Sequence, residues 1–179
     1  MFNRKDRKGR FDALARLYAD DLFRFGVWLC RDPTLADDLV QETFIRAWKG
    51  LDSLKDPSKA KSWLITILRR EYARTFERKV PPLVSLDDVI GLEQDDETPD
   101  ERLEKARFRD QIMRLEPKYR EPLVLQVLMG MAISEIAEAL ELTESAVMTR
   151  VFRARAQLKE RADNEDRQQE MDSHGQHES

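Results

Sequence analysis

The sequence has one cysteine, Cys30, and two histidines, His174 and His177, both near its end. A single cysteine excludes a disulfide within the chain and favours a reducing compartment. The two histidines lie in a polar stretch without cysteine, which predicts no metal site. No run approaches the ~18–20 apolar residues that a membrane span needs. The charged N-terminus also lacks the apolar core of a secretory signal, so we expect a soluble, cytoplasmic protein.

Catalytic patterns are also missing. The chain has 6 glycines, none of them arranged in a Gly-rich phosphate-binding loop, and no metal-ligand spacing. Asp37 and Asp38 are adjacent carboxylates, but neighbours on a helix point about 100° apart and do not share a site. The sequence therefore predicts no catalytic residues and no cofactor, and a protein that is not an enzyme.

Acidic residues outnumber basic ones over the whole chain, but the two signs are segregated. The net charge is −4 overall, made up of +6 for residues 1–80, −7 for 81–105, +2 for 106–159 and −5 for 160–179. Two basic blocks are thus each followed by an acidic segment. Local basicity, rather than the total charge, indicates a nucleic-acid partner.

The hydrophobic periodicity of the N-terminal half is helical throughout. Apolar residues at steps of three and four predict helices over about 10–30, 33–49 and 58–79, which form a first helical block, residues 10–80. The acidic segment 81–105 has too few large apolar residues to become ordered, so we interpret it as a flexible linker.

A second helical block follows at residues 106–160, with helices predicted from about 103 to 115 and 120 to 129, then a helix-turn-helix up to residue 159. The polar, acidic tail 161–179 is predicted to be disordered. The fold class is therefore all-α, with two small helical domains joined by an acidic flexible linker. The second domain contains the helix-turn-helix.

The helix-turn-helix prediction depends on two capping residues. Ser134 is expected to cap a short first helix, and Thr143 to cap the second, because a hydroxyl accepts from the free amides of the first turn. Only Glu141 and Leu142 remain for a turn between them. Two helices that close in sequence pack at a steep angle.

The second helix of this motif separates its residues into faces. Its buried stripe is predicted to be Val147, Val151, Ala154 and Leu158. The opposite face, which we call the reading face, consists of Ser145, Thr149, Phe152 and Arg153, flanked by Met148, Arg150 and Arg155. Hydroxyls, arginines and an apolar group suit the major groove of DNA. The alternative is an amphipathic surface helix with solvated charges, but the capped motif and the nearly acid-free face favour DNA.

The third helix of the first block, which we call the basic helix, combines positive charge with aromatic residues. Its cations are Lys59, Lys61, Arg69, Arg70, Arg74, Arg78 and Lys79. Positive charge beside aromatics is typical of proteins that hold single strands. The alternative is that Trp63, Tyr72 and Phe76 are core residues, and their periodicity favours this for most of them.

Several motifs together resemble one family. They are residues 38–48 (DLVQETFIRAW), 62–69 (SWLITILR), 115–117 (LEP), 135–137 (EIA) and 150–155 (RVFRAR). With two helical blocks and an acidic connector, they resemble the extracytoplasmic-function (ECF) class of sigma factors of bacterial RNA polymerase, in the sigma-70 superfamily. The resemblance covers about residues 10–160.

This resemblance implies roles that the residue patterns do not. Asp38, Gln41 and Glu42 would dock on the coiled-coil clamp of the largest subunit of core RNA polymerase. The basic helix would melt and read the −10 element of promoter DNA through Lys59, Lys61, Arg69, Arg70, Arg74 and Arg78. The helix-turn-helix would read the −35 element through Thr143, Ser145, Met148, Thr149, Arg150, Phe152, Arg153 and Arg155. The linker would thread the polymerase, and an anti-sigma factor, often membrane-anchored, would restrain the protein.

The chain departs from the family pattern at four positions. Arg70 and Arg74 stand where the family usually has Asn and then Asp or Asn. Glu141 stands where the turn usually has Gly, and Met148 where Lys or Arg is common. We therefore expect an unusual promoter sequence.

A second function remains open at this point, that of a free-standing dimeric helix-turn-helix regulator. Such a protein would need a dimerisation surface and would bind a palindromic DNA site. The sequence contains no heptad seam or spare apolar helix for a dimer, and the basic helix would have no role.

Overall fold

The structure, a computed structural model, describes residues 4–76 and 98–175, and over those residues it contains helices and no strand. This confirms the all-α prediction. None of these helices is long and apolar enough to cross a membrane. The α-helices are α1 (Arg4–Cys30), α2 (Pro33–Gly50), α3 (Ala60–Phe76), α4 (Pro99–Met113), α5 (Pro117–Val127), α6 (Ile133–Leu140) and α7 (Glu144–Gly175).

Helices α1 and α2 form a closely packed hairpin in the first block. The carboxylate of Asp32 caps α2 by accepting from the amides of Thr34 at 2.9 Å and Leu35 at 3.1 Å. The two helices approach closely at Gly26, where an added Cβ would lie 3.3 Å from the Cβ of Ala36. Helix α1 therefore covers one side of α2 and leaves the opposite side of α2 exposed.

Helix α4 begins inside the predicted linker. Thr98 and Glu101 form a capping box, in which the Thr98 hydroxyl accepts from the Glu101 amide and the Glu101 carboxylate accepts from the Thr98 amide. Pro99 occupies the first helical position, where it needs no N–H partner. Residues 99–105 are therefore helical, which corrects the linker prediction there, and 81–97 lie outside the described residues.

Helix α7 continues to Gly175, which corrects the prediction that the tail begins as disordered chain at residue 161. No Gly or Pro interrupts α7 before Gly175. The extension also contacts α4, since the Arg161 guanidinium donates to the backbone carbonyls of Gln111 at 3.3 Å and Arg114 at 3.4 Å. Anchoring on α4 and the absence of helix breakers together explain the longer helix.

Two further helix starts differ from the sequence prediction. Helix α5 begins at Pro117, three residues earlier than predicted, because proline is favoured at the first helical position. Helix α6 begins at Ile133, so Ser134 lies inside its first turn and does not cap it. Instead the Glu135 carboxylate accepts from the backbone amide of Ala132 at 2.7 Å.

The two blocks share one apolar core, and α3 of the first block packs against α6 of the second. Helix α3 buries Leu64, Ile65 and Leu68 at 0% exposure and Ser62 at 2%. Ser62 lies at the contact of α3 with α6, where its hydroxyl donates to Glu138 at 3.1 Å. The largest buried side chains of this core include Leu22, Phe25, Leu64, Ile65 and Leu68 from the first block and Leu115, Leu125, Ile136 and Val147 from the second.

Candidate polymerase and nucleic-acid interfaces

The buried stripe of α7 is as the sequence predicts. Val147 and Ala154 are fully buried, Val151 is 5% exposed, and Leu158 is partly buried against the core. Thr143 caps the helix, its hydroxyl accepting from the Ala146 amide at 3.1 Å. The cap and the stripe together fix which side of α7 faces outward.

The reading face of α7 is correspondingly exposed. Phe152 is 74% exposed and Met148 53%, and Ser145, Thr149 and Arg153 are exposed as well. The Thr149 hydroxyl donates to the Ser145 carbonyl at 2.9 Å, so its oxygen remains an acceptor for an outside donor. An aromatic ring three-quarters exposed contributes little to packing, which favours a contact with another molecule.

Two arginines of α7, Arg153 and Arg155, are held by residues of α5. The Arg153 guanidinium donates to the Tyr119 hydroxyl, which lowers the pKa of that phenol. The Arg155 guanidinium donates to the Gln126 side-chain oxygen at 2.8 Å. Sequence reasoning missed Tyr119 and Gln126 because the packing of α5 against α7 has no local sequence signal. These contacts place cationic groups along the edge of the reading face.

The turn of the helix-turn-helix carries an unusual backbone conformation. Glu141 lies in the left-handed region at φ 56°, ψ 44°, and the Leu142 amide donates to the Ala137 carbonyl at 2.9 Å. Glycine adopts this conformation without strain, whereas another residue costs roughly 1–2 kcal/mol. Glu141 in this turn therefore lowers the free energy of unfolding relative to a glycine at the same position.

One side of α2 presents the polar residues that the resemblance assigns to polymerase docking. Asp38 and Gln41 are exposed, and the Glu42 side chain is 40% exposed. The Gln41 amide donates to Asp37 at 2.8 Å, and Glu42 accepts from Arg46 at 2.9 Å. The opposite side of the helix is buried, its buried residues being Ala36, Leu39, Val40, Thr43 and Ala47.

The basic helix corresponds to α3 and the short turn before it. Every described cation assigned to the −10 surface contacts a carboxylate, and Arg78 lies outside the described residues. The pairs are Lys59–Glu138 (2.9 Å), Lys61–Asp21 (2.9 Å), Arg69–Glu121 (2.8 Å), Arg74–Glu71 (2.8 Å) and Arg70–Glu141.

These cations differ in exposure. The side chains of Lys59, Arg70 and Arg74 are more than half exposed. Lys61 is 21% and Arg69 30% exposed, and Lys61 also donates to a backbone carbonyl of the second block at 2.6 Å. The structure thus brings three of the predicted residues to an open surface and holds the other two between the blocks.

Comparisons with known proteins agree with this architecture. A family model for sigma-70 region 2 matches residues 14–80, and one for sigma-70 region 4 matches residues 105–158. The ECF RNA polymerase sigma factor SigM of Bacillus subtilis is 30% identical over 151 residues, which covers 83% of this chain and 92% of SigM.

Two solved structures have a similar fold. The sigma factor RpoE from Bartonella quintana, in complex with the anti-sigma factor NepR, matches with a TM-score of 0.70 at 26% identity. This match covers 84% of this chain and 94% of that one. CnrH, in complex with the cytosolic domain of CnrY, matches with a TM-score of 0.64 at 28% identity, covering 86% and 88%.

The chain therefore belongs to the ECF class of sigma-70 RNA polymerase sigma factors. It is an alternative sigma factor, which binds core RNA polymerase and promoter DNA and directs transcription initiation. The sigma-70 family is not a family of catalytic enzymes. The dimeric regulator that the sequence left open gains no support from these comparisons.

Proposed function

We propose that this sigma factor uses three surfaces for three steps of initiation. The exposed side of α2 docks on the clamp of the largest polymerase subunit through Asp38, Gln41 and Glu42. The basic helix binds the −10 element, and the reading face of α7 binds the −35 element. The factor works in the cytoplasm, where the polymerase acts. The exposed reading face of α7, opposite a stripe that packs into the core, is the observation that carries this proposal.

At the −35 element, we assign base contacts to Ser145, Thr149 and Phe152 and phosphate contacts to Arg150 and Arg153. The hydroxyls suit base edges and the ring suits a thymine methyl. The hydrogen bond from Arg153 to Tyr119 supports a phosphate role, because it holds the guanidinium toward α5. Thr143, Met148 and Arg155 complete the surface.

The test is run-off transcription with purified core polymerase and a panel of candidate promoters. The chain should direct specific transcripts from promoters with suitable −10 and −35 elements, and core polymerase alone should not. A chain that binds palindromic duplexes by itself, and directs no transcript with core polymerase, would support the dimeric regulator instead.

Arg70→Ala and Arg74→Ala are expected to weaken open-complex formation several-fold more than closed-complex binding. Both side chains are more than half exposed on α3, where a melted strand would pass. Permanganate footprinting reports melting, and a gel shift at low temperature reports closed binding. Equal losses in the two measurements would make these arginines general phosphate contacts.

The linker is expected to act after promoter binding. Residues 81–98, which precede α4, carry a net charge of −6, which would repel free DNA and suit a basic channel of the polymerase. Neutralising Asp95, Asp96 and Glu97 with the matching amides should therefore leave promoter affinity unchanged and alter the ratio of abortive to full-length RNA. If that ratio stays at the wild-type value, the linker has no role in promoter escape.

An anti-sigma factor is the third partner that we propose, one that is anchored in the membrane. The RpoE structure contains the anti-sigma factor NepR, and the CnrH structure contains the cytosolic domain of CnrY. The chain also exposes an apolar groove between α4, α5 and α7, which includes Phe108 and Val127, each 50% exposed. An exposed apolar patch of this kind is typical of protein-binding surfaces.

Substituting Phe108 and Val127 with serine should weaken capture of the factor by its anti-sigma protein.

A further inference from the structure

The first two turns of α1 are strongly basic, and they lie against the end of α2 and the segment that joins α2 to α3. Residues 4–10 contain five cations and one acidic residue. The Arg7 guanidinium donates to the Trp48 carbonyl at 2.7 Å, and the Arg10 guanidinium donates to the Leu54 carbonyl at 3.1 Å. These two arginines therefore fix the start of α1 beside the joining segment.

Trp48 lies at this contact and is held by two neighbours from α1. Its ring packs edge-on against Phe11, with the ring centroids 5.2 Å apart, and the Arg7 guanidinium lies 4.9 Å from the Trp48 ring centroid. The Trp48 side chain is nevertheless 36% exposed. An exposed aromatic ring among cations can stack on a nucleic-acid base, and such stacking is typical of surfaces that hold single strands.

Two lysines of this region are exposed and have no acidic partner. Lys8 lies on α1 between the two anchoring arginines, and Lys55 lies in the joining segment. Neither side chain forms an ion pair or a hydrogen bond within the described part of the chain. The carboxylates of the joining segment contact other groups, Asp52 the Arg7 guanidinium and Asp56 a backbone amide. Both lysines are therefore available to phosphates, unlike the described cations of the −10 surface, which contact carboxylates.

The region is continuous with the proposed −10 surface. Lys55 lies four positions before Lys59, which belongs to that surface, and the turn Pro57–Lys59 leads directly into α3. Because the reading face of α7 suits the major groove of a duplex, the DNA on the −35 side stays paired. The melted strand therefore continues on the other side of the −10 element, towards the transcription start site.

We infer that Lys8, Lys55 and Trp48 form a downstream surface, which binds single-stranded promoter DNA immediately downstream of the −10 element. The two lysines contact phosphates, and the Trp48 ring stacks on a base. Arg7 and Arg10 hold these groups in position by their contacts with backbone carbonyls. This assignment rests on the proposed −10 role of α3, because that role places the melted strand beside the joining segment.

The test compares two holoenzymes whose full-length sigma factors have lost the same charge. The lysine variant carries Lys8→Gln and Lys55→Gln. The matched control carries Arg24→Gln and Arg107→Gln, which remove exposed cations of α1 and α4. Arg24 is sixteen residues from Lys8, or ~24 Å along the helix axis.

Each holoenzyme is titrated with three fluorescent promoter probes, which share a duplex −35 element and a single-stranded −10 element. The short probe ends at the downstream edge of the −10 element. The single-strand probe continues downstream as one strand, and the duplex probe continues downstream as paired DNA. The difference between the short probe and each longer probe isolates the contribution of the downstream DNA.

We expect the lysine variant to bind the single-strand probe about tenfold more weakly than wild type and to bind the short probe normally. The slope of log affinity against log salt concentration should fall by about 1.4 on the single-strand probe, since each phosphate contact contributes about 0.7. The loss on the duplex probe should be smaller, and the control should bind all three probes like wild type. Trp48→Leu should weaken the single-strand probe by roughly fivefold or more, because a stacked base is lost. Thermal melting checks that every factor remains folded.

Wild-type affinity of the lysine variant for the single-strand probe overturns the inference. An equal loss on the duplex probe also overturns it, because the surface would then bind paired DNA. A loss already present on the short probe would place the lysines on the −10 element itself. Weaker binding of core polymerase, measured in a separate titration, would place them against the polymerase, and either result refutes the downstream surface.

The short probe separates these outcomes from failure of the proposed function. If Arg70→Ala and Arg74→Ala weaken binding to the short probe while the lysine variant binds all probes normally, only the downstream surface is refuted. If the arginine substitutions leave binding to the short probe unchanged, the −10 role of α3 is wrong, and the downstream surface loses its basis as well.

Discussion

Replacing Asp38 and Gln41 together with alanine is expected to weaken binding to core RNA polymerase by roughly tenfold to a hundredfold. The two side chains lie exposed on α2, and each lost hydrogen bond at an interface is worth about 0.5–1.5 kcal/mol. The free energy of unfolding should change by about 0.5 kcal/mol or less, because neither side chain packs against the core. Loss of binding without loss of stability is the signature of a docking surface.

A titration of labelled factor with purified core polymerase measures this effect. Asp20→Ala is the matched control, since Asp20 is an exposed carboxylate on α1 and its loss changes the charge by one unit as well. The control should bind core polymerase like wild type. If the double variant binds as tightly as wild type, α2 does not dock through these residues. The docking role that the resemblance implies for them would then be wrong.

The surfaces of α2 and α7 could be predicted from the sequence because each depends on one helix alone. The faces of a helix follow from its period, so Val147 and Ala154 identified the buried side of α7 without knowledge of its neighbours. The Thr143 cap is equally local, since the hydroxyl bonds an amide three residues away. Local geometry therefore predicts which sides of α2 and α7 are exposed, while the docking and reading roles of those sides stay predictions.

The contact between the two blocks could not be predicted in this way. Lys59 and Glu138 are 79 residues apart, and nothing near either residue indicates the other. The burial of Ser62 has the same origin, because its hydroxyl donates to Glu138 of α6 at 3.1 Å. A periodic pattern indicates that a side is buried, but not which distant helix buries it.

The start of α4 was missed for a different reason. The density of acidic residues suggested a linker, yet the sequence from Thr98 to Glu101 contains a complete capping box with proline at the first helical position. Asp100 and Glu101 favour the positive end of the helix dipole, so their charge stabilises this helix start. The capping box is therefore a better indicator of structure at these residues than the density of acidic residues.

Arg153→Ala is expected to weaken the binding of the factor to −35 DNA of every sequence by the same factor. The slope of log affinity against log salt concentration should also fall by about one. The hydrogen bond with Tyr119 holds its guanidinium toward α5, which favours a phosphate over a base edge. The control is Arg107→Ala, which removes another exposed cation, from α4. A loss at one base pair only would instead make Arg153 a guanine contact.

Phe152→Ala is expected to give the opposite result, with a changed preference at one base pair and an unchanged salt dependence. The ring is 74% exposed, so its removal should leave the melting temperature close to that of wild type. A specific contact in the major groove discriminates by about 1–3 kcal/mol, and an apolar contact with a thymine methyl should lie near the lower end, roughly tenfold or less. Selection from a −35 library by the holoenzyme, with Phe152→Ala beside Arg153→Ala, measures both changes. A folded Phe152→Ala protein with the wild-type base preference would refute the base contact, and the exposed ring would then need another partner.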